Sequence, residues 1–148
     1  MPTLYILNAS PLSLFPARHR LLLEWWPLTT AEAATRVAEH TANGGAVRSA
    51  LGHADIAGLV SRLLAYPLAL DRSSVTLILG DQALVCQYRG PRLAEETTRL
   101  PDDARLDWYW LRDWSLAPGE PVTASSLDDV FAAWRAAHAV AQRWTSGD

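Results

Sequence analysis

Lysine is missing from this chain: all 13 basic residues are arginine. Arginine offers a planar fork suited to phosphate. The Ala/Arg/Leu richness nevertheless matches codon usage in a GC-rich genome, so arginine content by itself identifies no partner. A single cysteine, Cys86, excludes an internal disulfide framework and any multi-cysteine zinc or iron–sulfur centre. It lies in an apolar strand-like stretch, the setting of a buried, inert thiol. Long apolar runs are also lacking. The most apolar region, residues 59–70, is interrupted by Arg62 and falls short of the ~18 residues of a membrane span. The opening residues carry neither a basic stretch nor a small-residue cleavage site, which points to the cytoplasm. A net charge of -3 speaks against a duplex-DNA binder coated in positive charge. No Walker loop, dinucleotide fingerprint, HExxH or GxSxG occurs, and the four histidines are too scattered for a metal motif. No cofactor or metal is expected.

What remains is an ordinary globular composition, 49% hydrophobic and 20% charged over 148 residues, matching one folded unit with a real core. Residues 3–8 form an apolar run that stops at a polar turn and read as a first strand. Residues 20–26 read as a second strand, stopped by Pro27. Thr29 followed by Glu32 is a capping box, and the helix it opens should run to about Ala42 and stop at Asn43-Gly44-Gly45. Residues 46–51 lead to Gly52-His53, after which Ile56, Leu59, Val60, Leu63 and Leu64 recur with helical period. Residues 74–79 and 83–88 read as two strands joined in a hairpin across Gly80-Asp81-Gln82. Residues 106–114 are an aromatic-rich strand.

Residues 116–125 have linker composition. Ser126 can cap a last helix, with Leu127, Val130, Phe131, Trp134 and His138 on one side. The fold class is therefore α+β: a single mixed sheet of about five strands flanked by helices. Residues 1–116 form the main domain, and residues 117–148 a linker and an amphipathic C-terminal helix packed on it.

Among the histidines, His19 and His40 sit in surface-like contexts and His138 falls on a helix stripe. His53 differs. It follows a glycine and opens a helix, where free backbone N–H groups can hold an anion. An imidazole there either caps the helix passively or donates a proton to a leaving oxygen.

Leu4-Tyr5-Ile6-Leu7-Asn8-Ala9, then Ser49-Ala50-Leu51-Gly52-His53, then Asp71-Arg72, then Leu84-Val85-Cys86-Gln87 and Arg92-Leu93 occur in an order that resembles one family. It is the ring nucleases known as domain of unknown function 1874, whose viral members are type III anti-CRISPR proteins. The resemblance covers about residues 3–114. It implies cleavage of cyclic tetra-adenylate, the second messenger of type III CRISPR complexes, by a metal-independent homodimer. It implies His53 as general acid, with Arg92 and an acidic residue, Glu95 or Glu96, as its catalytic companions. Asn8, Gly52, Arg72 and Gln87 would line the ligand site, with further polar contacts from Ser10 or Ser13. The loop 89–92 is one residue longer than the family pattern, so Arg89 competes with Arg92. Where the family has Ser or Thr shortly after the Gly-His pair, this chain has Ala54-Asp55-Ile56-Ala57.

RNA-type phosphodiesters carry their own nucleophile, the 2′-hydroxyl. Such an enzyme need supply only in-line geometry, charge stabilisation and an acid. A protein that binds the cyclic oligoadenylate without cutting it is the alternative reading.

Overall fold

The computed structural model describes residues 3–9, 14–15, 23–78, 80–94 and 96–113, with Asp129, Ala132, Arg135 and Ala136 beyond them. Its elements run β1 (Thr3–Leu7), β2 (Leu23–Leu28), α1 (Thr30–Ala42), β3 (Ala46–Ala50), α2 (Ala54–Leu63), β4 (Gln82–Arg89) and β5 (Arg105–Asp113). The strands form one mixed sheet in the order β2-β5-β4-β1-β3. β1 is parallel to both β3 and β4, and β5 is antiparallel to both β4 and β2. Fold class and strand number agree with the sequence reading. Among the described residues no helix is long and apolar enough to cross a membrane.

Alternation of side chains across the sheet produces two apolar layers. Leu4, Ile6, Leu84, Cys86, Trp108 and Trp110 point towards the helices and pack with Ala33, Val37, Ile56, Leu59 and Val60. Leu7, Ala83, Val85 and Leu111 point to the opposite face and meet Leu14 and Leu77. The aromatic strand divides the same way. Trp108 and Trp110 are intrachain core, whereas Tyr109 lies beneath Trp25, ring centroids 5.0 Å apart, with Trp25 itself 42% exposed.

Two expectations need correction. Residues 74–78 are not a strand, and there is no hairpin across Gly80-Asp81-Gln82. Both edges of β4 are taken, by β1 and β5, so no ladder position is left for the preceding segment. Leu77 instead buries its side chain on the second face, and its N–H donates to the Leu14 carbonyl. The strand that replaces it is β3, from the stretch before Gly52. Nor does Pro27 stop β2, which continues to Leu28. β2 is an edge strand, where a residue without an N–H is tolerated. The expected start of that strand, residues 20–22, and the C-terminal helix lie outside the described residues.

The turn before β4 ties the fold together. Asp81 is buried, and its carboxylate accepts from the N–H of Thr3 (2.9 Å) and of Ile78 (3.2 Å). α1 follows its sequence signals closely. The Thr29 hydroxyl accepts from Glu32 N–H, and Glu32 accepts from Thr29 N–H. At the far end Gly44 adopts φ 76°, and the N–H groups of Gly44 and Gly45 return to the carbonyls of Thr41 and His40. That is a Schellman closure with glycine at the left-handed position. His40 is structural: its ring lies within hydrogen-bond distance of the Ala46 carbonyl at 3.0 Å, against a Gly45 that has no room for a Cβ.

Candidate functional site

β1, β3 and β4 are parallel, so their carboxyl ends meet at one edge of the sheet, the usual place for a ligand in parallel α/β arrangements. Leu7 lies opposite Ala50 on one side and Val85 on the other. Asn8 therefore leaves β1 one step beyond that row, Gln87 stands two steps beyond Val85, and Gly52-His53 follows two residues after Ala50. Asn8 and Gln87 are half-buried, and His53 is exposed.

His53 is the N-cap of α2, with extended backbone (φ -129°, ψ 127°), and its side chain makes no capping bond. The imidazole is thus not spent on the helix. Asp55 lies in the same first turn, its carboxylate on the N–H of Ile56 at 2.9 Å. Gly52 has ordinary backbone angles, and a Cβ built there would meet nothing within 4 Å among the described residues. Neither torsion nor packing within the described chain requires a glycine at this position.

Arg72 arrives from a segment 20 residues downstream, and its Nε donates to the Gly52 carbonyl at 3.1 Å. The strand expected immediately after Arg72 is absent, as described above. The residues before Arg72 are instead stitched along β3. Ser49 Oγ donates to the Ala69 carbonyl, Leu51 and Leu70 form a parallel bridge, and Asp71 N–H donates to the Leu51 carbonyl at 3.1 Å. The Ser73 side chain and N–H hydrogen-bond the Asp71 carboxyl and, with the Arg48 charge, hold its pKa below the usual carboxylate range. Sequence reasoning passed over Ser49 as a contributor. Its place in the quoted Ser49-to-His53 run was the available signal.

At the end of β4 the two competing arginines part. Arg89, the last residue of the strand, faces Asp107 at 3.7 Å and reaches Gln87 Oε1 at 3.5 Å. Arg105 shares the same Asp107 carboxylate. Arg92 stands exposed in the following loop, which is fixed on both sides of it. Tyr88 Oη donates to the Pro91 carbonyl at 2.6 Å, and Leu93 is buried in the main core. Gly90 is needed here, because a Cβ would fall 2.6 Å from Ala104 Cβ. Partial burial, then the carboxylates of Asp103 and Asp55, push the Tyr88 phenol up. Glu96 is exposed; Ser10, Ser13 and Glu95 lie outside the described residues.

Cys86 takes no part. It is fully buried, and burial raises its thiol to about 12. Among the described residues no three His, Cys, Asp or Glu side chains gather into a group able to hold a metal ion.

The site thus joins a helix start whose N-cap side chain, His53, makes no capping bond, and an arginine that donates to the carbonyl beside that imidazole. Such a set can bind an anion and offer it a proton. No curated protein matches the chain. Among solved structures it is similar to B116 of Sulfolobus turreted icosahedral virus, with a TM-score of 0.60 and 19% identity, over 74% of this chain and 97% of that one. At that identity the likeness is one of fold. The family model described as STIV B116-like matches residues 4–104, a span that holds β1 from its second residue, β2, β3, β4 and both helices and stops just before β5: the chain belongs to the STIV B116-like family.

Proposed function

We propose that this protein is a metal-independent ring nuclease that opens cyclic tetra-adenylate and so ends type III CRISPR signalling. The observation that carries the reading is the bond from Arg72 Nε to the Gly52 carbonyl beside the uncapped His53. It leaves the other guanidinium nitrogens of Arg72 and the His53 ring available to one phosphate. In the reaction a ribose 2′-oxygen bonds to the adjacent phosphorus and the bond to the 5′-oxygen breaks. His53 gives its proton to that leaving oxygen, and the 2′-hydroxyl proton passes to solvent. One product end is a 2′,3′-cyclic phosphate. Arg72 and the loop carrying Arg92 would hold the non-bridging oxygens. Gly52 leaves room for close approach, and in this reading Asn8, just after β1, and Gln87, in β4, would contact the ligand. A fourfold ring suits a twofold homodimer, in which two His53 copies cut opposite linkages and release linear di-adenylates.

The test is incubation of the chain with cyclic tetra-adenylate in excess EDTA, with products separated by chromatography and weighed by mass spectrometry. Linear di-adenylate with a cyclic phosphate end is the expected result. An intact ring that co-elutes with the protein would identify a binder without turnover. Activity lost in EDTA and restored by manganese or magnesium would overturn the metal-free mechanism.

A further inference from the structure

Arg72 lies on a segment whose core anchors stand a few residues away, Leu68 against the main core and Val75 and Leu77 on the second face. Leu70 is 45% exposed, Arg72 is exposed, and residues 73–78 join no strand. What sets its position is the stitching along β3, in which Ser49 pairs with residue 69, Leu51 with residues 70 and 71, and Gly52 with Arg72. The first stitch is a side-chain hydroxyl, and the last is the arginine itself. A slip of one residue would set Asp71 or Ser73 against Gly52 and put a carboxylate or a hydroxyl where the guanidinium stands. The Ser49–Ala69 and Arg72–Gly52 bonds at the two ends are exposed, and exposed bonds open easily, so the register depends on bonds that a slip would break.

We infer that Ser49 is a positioning residue. By anchoring the Ala69 carbonyl, its hydroxyl fixes the register that delivers Arg72 to Gly52 and therefore to His53. It touches no substrate and acts through Arg72. This inference rests on the ring-nuclease reading.

The experiment compares Ser49→Ala, Ser49→Thr, Arg72→Ala and the double variant Ser49→Ala/Arg72→Ala with the unaltered chain. Two quantities are read: the Arg72 side-chain Nε–H resonance in a proton–nitrogen correlation spectrum, and turnover of cyclic tetra-adenylate under saturating conditions. In the unaltered chain the Nε–H should exchange slowly with solvent. Ser49→Ala should abolish that protection and lower turnover about tenfold, within the up to ~10² that a small misplacement can cost. Ser49→Thr, which keeps the hydroxyl, should restore both. The double variant should be no slower than Arg72→Ala, since the two residues act in series. Protection that survives Ser49→Ala, turnover unchanged in that variant, or fully additive losses would each overturn the inference while leaving the ring-nuclease reading intact. An unaltered chain that does not open the ring at all would remove that reading, and the role of Ser49 with it.

Discussion

The two helices lie on the same face of the sheet and are held there by opposite means. α1 buries only Ala33 and Val37, but both its ends are closed, by the capping box of Thr29 and Glu32 and by Gly44 in the left-handed position. α2 buries Ile56, Ala57, Leu59 and Val60, yet departs from ordinary capping at both ends. His53 makes no capping bond, and the left-handed residue that closes the helix is Ala65, at φ 51°. A helix that draws its stability from the core can do without a bond from its N-cap side chain. In α2 the first turn opens at His53, next to the Gly52 carbonyl that receives Arg72.

The sharpest way to break this comparison is to change His53. His53→Ala should lower ring cleavage by about 10²–10⁴ while leaving ligand affinity within about tenfold, because an acid acts on the leaving group in the transition state. The melting temperature should stay put, since no capping bond is lost. A variant that cuts at the unaltered rate would remove His53 from the mechanism. Next comes the core side of α2. Leu59→Ala, at a fully buried position, should cost about 2–5 kcal/mol in denaturant unfolding, far more than any change at the ends of α1.

Thr29→Ala tests the other helix and should cost about 1 kcal/mol. The same cap gives an acid dependence. The Glu32 carboxyl is held below its ordinary value, first by the Thr29 N–H, then by the Thr29 side chain and the Arg36 charge. Its contribution is complete above the ordinary carboxylate value and disappears as pH falls through the lowered one. Glu32→Gln should therefore flatten the acid limb of a thermal-stability profile, and an unchanged limb would count against the cap. The smallest effect belongs to Ala65→Gly, which should raise stability by up to ~1 kcal/mol through relief of the left-handed backbone. Cleavage should not change, because Ala65 is at the far end of α2 from His53.

The same contrast explains what could be read from the sequence. α1 was legible almost to the residue, because its ends are fixed by side chains three or four positions away. His53 at the start of α2 was legible for the same local reason, a glycine before an apolar helical period. The segment 74–79 misled because Val75 and Leu77 alternate as they would in a strand. Their alternation serves packing on the second face, and the competition of β1 and β5 for the edges of β4 cannot be seen locally. Residues 46–50 carry too little apolar alternation to announce β3, which exists because β1 offers it an edge. Arg72 could be singled out by resemblance, but its bond to Gly52 spans 20 residues and depends on the stitching along β3. Which of these residues the hydrogen bonds would join was not legible in the sequence.

Pro27 has a consequence for how the chain comes into being. Among the described residues β2 pairs with β5 alone, Leu28 with Trp108 and Leu23 with Asp113, so that partner is synthesised 80 to 90 residues later. At ~5–20 residues per second of translation, β2, with Trp25 and Trp26 in it, waits about 4–18 s for β5. A waiting strand with two tryptophans invites pairing with another nascent copy. Proline within it withholds an N–H and weakens any ladder built by a stranger. The residue that seemed to end the strand guards it until its own neighbour arrives.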